Sequence, residues 1–243
     1  MVFNIVFDIA ERIIMNMLPQ ASLFLGIIPA LIILFIALKG YDGYYKDKYM
    51  FLTFIIGIIF GFIAAFVQSF YPLGIYIYQL SSYALISILL LAVFEQLFKT
   101  IILNVKRLHQ KKETPIYGLS LGLGFGSSFT PFMIIAASAS SAVSNSIYIL
   151  SIIALGSVGL ILFHGATGIF IGYGIFEKKL TRNLIISIIL DLPILVFLAL
   201  MIFFSNINTI SYQITLSAAM IIYGLIIFIY VAKKVLPGIK KNL

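Results

Sequence analysis

Long apolar runs, broken by short charged or small polar turns, make up nearly the whole chain. Seven runs have the length of a membrane crossing: Leu18–Leu38, Met50–Phe70, Ile75–Leu103, Ile116–Ala136, Ile147–Phe176, Leu184–Phe204 and Ser211–Val231. A hydrocarbon core of about 30 Å takes about 20 apolar residues of helix to cross. Backbone polar groups in lipid must be satisfied within the segment, which selects helices. The pattern therefore predicts an all-α polytopic membrane protein of seven transmembrane helices. One helical domain covers 1–243, with the bundle over 18–235 and a basic tail over 236–243.

The turns alternate in charge. Lys39–Lys48 carries three lysines, and Lys99–Lys112 carries Lys99, Lys106, Arg107, Lys111 and Lys112. The turn after the fifth run carries Lys178, Lys179 and Arg182, and the last segment Lys233, Lys234, Lys240 and Lys241. The intervening turns Tyr71–Gly74, Ala137–Ser146 and Ser205–Ile210 carry no Lys or Arg, and Arg12 alone lies on their side. Short cytoplasmic loops collect Lys and Arg, so the N-terminus is expected outside and the C-terminus in the cytoplasm.

Before the first run, Phe3, Val6, Ala10, Ile13 and Met17 recur at helical spacing, with Asn4, Asp8, Glu11, Arg12 and Asn16 on other faces. Residues 1–17 read as an amphipathic helix in the outer interface or as an extension of the first span bent at Pro19. Asp8 and Glu11 stand where a signal peptide has its apolar centre.

Composition narrows the function classes. With 62% hydrophobic and 10% charged residues, the net charge of +8 is a topological signal and an attraction to anionic lipid, not a nucleic-acid footprint. The absence of cysteine excludes disulfides and thiolate metal sites. Abundant Ile with no Trp or Cys suggests a prokaryotic cell membrane.

Ionisable residues inside a span cost at least about 2.5–3.5 kcal/mol each and mark candidate sites. Four lie there: Glu95 and Lys99 in the third span, His164 in the fifth and Asp191 in the sixth. Counting helical rise from the flanking charges puts Glu95, His164 and Asp191 at depths of about 16, 20 and 14 Å, so they can meet at one level. Glu95 and Lys99 are spaced for an i,i+4 ion pair on one helix face. Pro193 follows Asp191 by two residues, and Pro131 lies beside Ser127, Ser128 and Thr130; both prolines interrupt a helix near polar groups. Gly118, Gly122 and Gly126 in the fourth span, and Gly168 and Gly172 in the fifth, form small-residue stripes for close helix packing. The stripes suit a contact within the chain or with a partner.

These segments resemble a known group of intramembrane proteins. Phe94-Glu95-Gln96-Leu97-Phe98-Lys99 is similar to the EExxK/R signature of the PrsW and type II CAAX-protease superfamily. Gly118-Leu119-Ser120-Leu121-Gly122, continued to Gly126, resembles the GLSxGxxxG stripe of the anterior-pharynx-defective subunit of gamma-secretase. Leu162-Phe163-His164 followed by Gly168 resembles that subunit's LLHxxxG segment, with Phe163 for its second Leu. The resemblance covers about Leu91 to Phe197.

In the proteases of this group, the resemblance implies, a first Glu activates water with help from His or Glu on later helices. Glu95 matches that Glu and Lys99 the basic residue, but Gln96 replaces the second acid, Phe129 and Thr130 stand where a His or Glu belongs, and Asp191 takes the later His position. The gamma-secretase subunit has also lost the ligand near Phe129 and acts as a scaffold. The first expectation is thus a non-catalytic scaffold packing against another intramembrane protein, such as a presenilin-like protease, or against itself. The alternative is an active intramembrane protease with Glu95 as base and His164 and Asp191 as polarising groups or zinc ligands. Gln96, Lys99, Ser127 and Thr130 support the site in either case; no cofactor is expected, with zinc the alternative that His164 and Asp191 would hold. A small transporter is a third class, though no inverted repeat is evident.

The orientation is testable in this cysteine-free chain. Single cysteines at Ser140 or Asn208 should react with an impermeant maleimide applied outside, and one at Gln110 only after permeabilisation. Outside labelling at Gln110 would reverse the assignment.

Overall fold

In the computed structural model, residues 21–69, 82–139, 147–206 and 210–241 are described. The N-terminal 1–17 segment, the turn at Tyr71–Gly74 and most of the Ala137–Ser146 turn lie outside them. The described residues form helices joined by short turns, with no strand. Among the described residues, seven helical spans are long and apolar enough to cross a membrane: Ala21–Leu38, Asp47–Gln68, Tyr83–Leu103, Thr114–Ile135, Ser151–Phe176, Leu180–Met201 and Ser211–Ile239. The chain is an integral membrane protein built as one seven-helix bundle.

The fourth and fifth spans form its axis. Buried residues make up 83% of the fourth span's apolar window and 78% of the fifth's, against 22% for the seventh. Glycine is the cause. A Cβ at Gly122 would collide with the His164 carbonyl, and Cβ atoms at Gly118 and Gly168 would each strike the other's carbonyl. Added Cβ atoms would stand 2.7 Å from Ile161 Cα at Gly126 and 2.6 Å from the Thr114 carbonyl at Gly172. The two stripes therefore close on each other within the chain, which removes the reading of them as a partner surface. Dispersion between backbones replaces side-chain packing there. Gly124 meets Phe54 of the second span in the same way, and Gly159 meets Met220 of the seventh.

Hydroxyls reinforce the fourth span. Ser120 Oγ donates to the Met50 carbonyl at 2.6 Å and Ser128 Oγ to the Ile58 carbonyl at 2.7 Å, both on the second span. Pro115 starts the helix at its first turn, where its missing N–H leaves no gap. The helix is interrupted between Ser127 and Phe129. Pro131 has no N–H to offer the Ser127 carbonyl four residues earlier, and Gly26 of the first span packs against that carbonyl.

Three of the boundaries that differ from the hydropathy pattern bear on packing. The second helix begins at Asp47 and the sixth at Leu180, each adding a polar first turn to its apolar run. The last helix runs over Ile210–Lys241, so most of the expected tail at 236–243 is helical. Val231, Val235, Leu236 and Ile239 recur on one face and join the core with Leu38, Met50 and Leu103. Lys233 and Lys234 hid that stripe from a hydropathy reading; they point outward.

The glycine contacts set a stability test. Gly122→Leu should lower thermal stability in detergent by an amount corresponding to about 1–3 kcal/mol or more, because its collision is with backbone. Gly238→Ala, where an added Cβ meets nothing within 4 Å, should be neutral or slightly stabilising. Equal melting temperatures for the two variants would refute the packing account.

Candidate functional site

Three helices carry the ionisable residues to one place, and a fourth adds a residue that the sequence reading passed over. Glu95, Gln96 and Lys99 share the third span, His164 and Thr167 lie one turn apart on the fifth, and Asp191 precedes Pro193 on the sixth. Glu95 is 1% exposed, and Gln96, Lys99, His164 and Asp191 are 0% exposed. One ligating atom from each of Glu95, His164 and Asp191 lies within 4.8 Å of the other two.

Lys99 does not pair with Glu95 across one helical turn as the spacing suggested. Its ammonium turns to Gln96 Oε1 at 3.1 Å, His164 Nδ1 at 2.9 Å and Thr167 Oγ1 at 2.9 Å. A lysine has three protons to donate, so all three are placed. The Phe125 ring lies 5.0 Å from the nitrogen and adds a cation–π contact. Gln96 then relays the network, its Nε2 donating to Asp191 Oδ2 at 2.6 Å. Gln68 of the second span donates to Glu95 Oε1 at 2.6 Å. The one sequence signal for Gln68 is an amide inside an otherwise apolar run.

The remaining atoms face one another. Glu95 Oε2, His164 Nε2 and Asp191 Oδ1 are buried without a fixed hydrogen-bond partner, Glu95 Oε2 lies 3.8 Å from His164 Nε2, and the Glu95 and Asp191 carboxyls are within hydrogen-bond reach of each other, a contact that needs a proton on one of them. Lys99 only donates, so His164 Nδ1 accepts, and the neutral ring carries its proton on Nε2. This tautomer follows from the network. It leaves the imidazole no free lone pair, and a catalytic zinc needs about three protein ligands with lone pairs to give. The donor set therefore fits zinc poorly. It fits a water well: Nε2–H donates to the oxygen, which in turn donates to the two carboxylates.

Aromatic rings enclose the imidazole. Phe129 stacks on it with centroids 5.5 Å apart and planes at 21°, while Phe125 and Phe163 approach edgewise at 4.9 and 5.4 Å. Ser127 and Thr130 bond away from the cluster. Ser127 Oγ donates to the Gly124 carbonyl at 2.7 Å and Thr130 Oγ1 to Ser157 Oγ at 2.8 Å. Their part is to hold the interrupted fourth helix to itself and to the fifth. Pro193 has a similar structural echo, for Tyr223 OH donates to the Leu190 carbonyl at 2.8 Å, one turn before the proline.

Compared with known proteins, the chain matches no described family, no curated protein and no solved structure.

Among the described residues Lys99 is the cation that faces the two buried carboxyls, which makes it the electrostatic keystone of the site. Lys99→Met should destabilise the folded protein by about 3–5 kcal/mol, the usual cost of orphaning buried charge. Adding Asp191→Asn should recover part of that loss. Additive effects of the two substitutions in thermal unfolding would show that the residues are not coupled.

Proposed function

We propose that this chain is a non-catalytic intramembrane scaffold of the kind represented by the anterior-pharynx-defective subunit of gamma-secretase. Its partner is then another intramembrane protein, such as a presenilin-like protease, or a second copy, in a cell membrane. The observation that carries the reading is Phe129 stacked on His164. In the resembling proteases a His or Glu belongs near that position; here an apolar ring occupies it and covers the imidazole. Burial of Glu95, His164 and Asp191 to 1% exposure or less agrees, because a peptide bond must touch the groups that cleave it. The expected topology, with the N-terminus outside, also suits that subunit. The glycine stripes are consumed inside the bundle, so a partner would contact an outward face.

A second reading has its own observation. A polar network held only for stability should be fully satisfied, since a half-satisfied one is worse than an apolar core. Three unpartnered atoms facing each other suit a glutamate-dependent hydrolase. Glu95 would take a proton from a water held against Asp191 and His164, and that water would attack a carbonyl.

The readings separate on one variant. Purified, reconstituted protein offered membrane-spanning peptides should release no fragments, and Glu95→Gln should leave its fold and its complexes intact. Cleavage that falls by about 10²–10⁴-fold in Glu95→Gln, with unchanged folding, would overturn the scaffold reading.

A further inference from the structure

The sixth span carries a polar stripe of which the site uses only the last member, Asp191. Asn183, Ser187 and Asp191 are spaced by four residues, which aligns them on one helix face. Each is 0% exposed, and each has a buried oxygen without a partner: Asn183 Oδ1, Ser187 Oγ and Asp191 Oδ1. Seven such atoms occur among the described residues, and five of them belong to this stripe or to Glu95 and His164 at its end. Continuing by fours, the face becomes Leu195 and Ala199, both buried and apolar. The polar line therefore ends at the cluster and does not cross the protein.

The stripe faces the third and fifth spans. Asn183 Nδ2 donates to the Phe170 carbonyl at 2.8 Å, and an added Cβ at Gly174 would stand 2.7 Å from Asn183 Cβ. At the start of the sixth span, one residue before Asn183, an open pocket of about 310 Å³ is lined by Asn104, His109, Gln110, Lys178, Lys179 and Arg182, among others. This is the basic end of the bundle, which the charge distribution assigns to the cytoplasm.

We propose that Asn183, Ser187 and Asp191 hold a single file of waters linking this basic vestibule to the Glu95–His164–Asp191 cluster. Four helical residues rise about 6 Å, and one water with two hydrogen bonds of about 2.8 Å spans that step. Buried polar atoms left unpaired by protein are the usual hosts of internal water. The file gives each orphaned oxygen a donor, and it lets the cluster exchange water and protons with one side of the membrane only. It rests on neither reading of the cluster's role, because a scaffold and a hydrolase would be hydrated alike.

The chain has no cysteine, so a single introduced thiol can be read alone. Ser187→Cys, Ile189→Cys and Leu195→Cys would each be exposed, in folded and monodisperse form, to methyl methanethiosulfonate. Unreacted thiol would then be counted with a maleimide after denaturation. The reagent attacks only thiolate, which forms beside water and not in a dry interior. Ser187→Cys should react at least about tenfold faster than lipid-facing Ile189→Cys or apolar Leu195→Cys. Equal rates at the three positions would overturn the file. If Ser187→Cys does not fold, high-resolution density of the unaltered chain decides: waters within hydrogen-bond reach of Ser187 Oγ and Asn183 Oδ1 support it, and dry contacts refute it. Neither result touches the peptide-cleavage test, so either proposal can fail alone.

Discussion

The backbones of the fourth and fifth spans touch, and the rest of the bundle follows from that contact. At Gly122 the neighbouring group is the carbonyl of His164 itself, so the closest point of helix approach also fixes the imidazole's height and direction. Any side chain there would move the ring away from Lys99 and Glu95. Stripe and cluster are thus one construction. Glycine brings the helices together, and the space between the third, fifth and sixth spans is left for polar side chains. In lipid this is the available route to tight packing, since apolar side chains gain little by leaving one apolar medium for another.

The polar cluster adds specificity at that depth. Gln68, Glu95, Gln96, Lys99, His164, Thr167 and Asp191 tie four helices through directional bonds, each of which tolerates little axial sliding. A helix register set by dispersion alone is degenerate by about one turn; a lysine with three fixed acceptors is not. Phe125 and Phe129 shield these bonds from lipid and strengthen them by keeping the local dielectric low.

Much of this was legible in the sequence because it follows from one-dimensional patterns. Seven apolar runs give the spans, and glycine at four-residue spacing gives the close faces. Counting helical rise from the flanking charges brings Glu95, His164 and Asp191 to one level. What escaped depends on rotation and partner choice. Lys99 has several acceptors in reach, and sequence spacing favoured Glu95, whereas packing against the fifth span selected His164 and Thr167. Gln68 was hidden because a single amide barely alters the hydropathy of its run. Asn183 and Ser187 were hidden because their meaning comes from Asp191, eight and four residues on. The helix beyond 235 was missed because hydropathy averages around a helix, while burial acts on one face.

The third span's network also bears on how the chain is made. Lys99 finds its partner 65 residues further along, and Gln96 finds its own 95 residues further. During synthesis from the N-terminal end, the third span must leave the ribosome before the fifth and sixth exist. At that stage Glu95 and Lys99, one turn apart, are the nearest opposite charges for each other. The i,i+4 spacing that the finished protein leaves unpaired thus supplies a temporary partner. The nascent helix can carry a neutralised pair toward the bilayer and exchange it for the permanent one once His164 and Asp191 arrive.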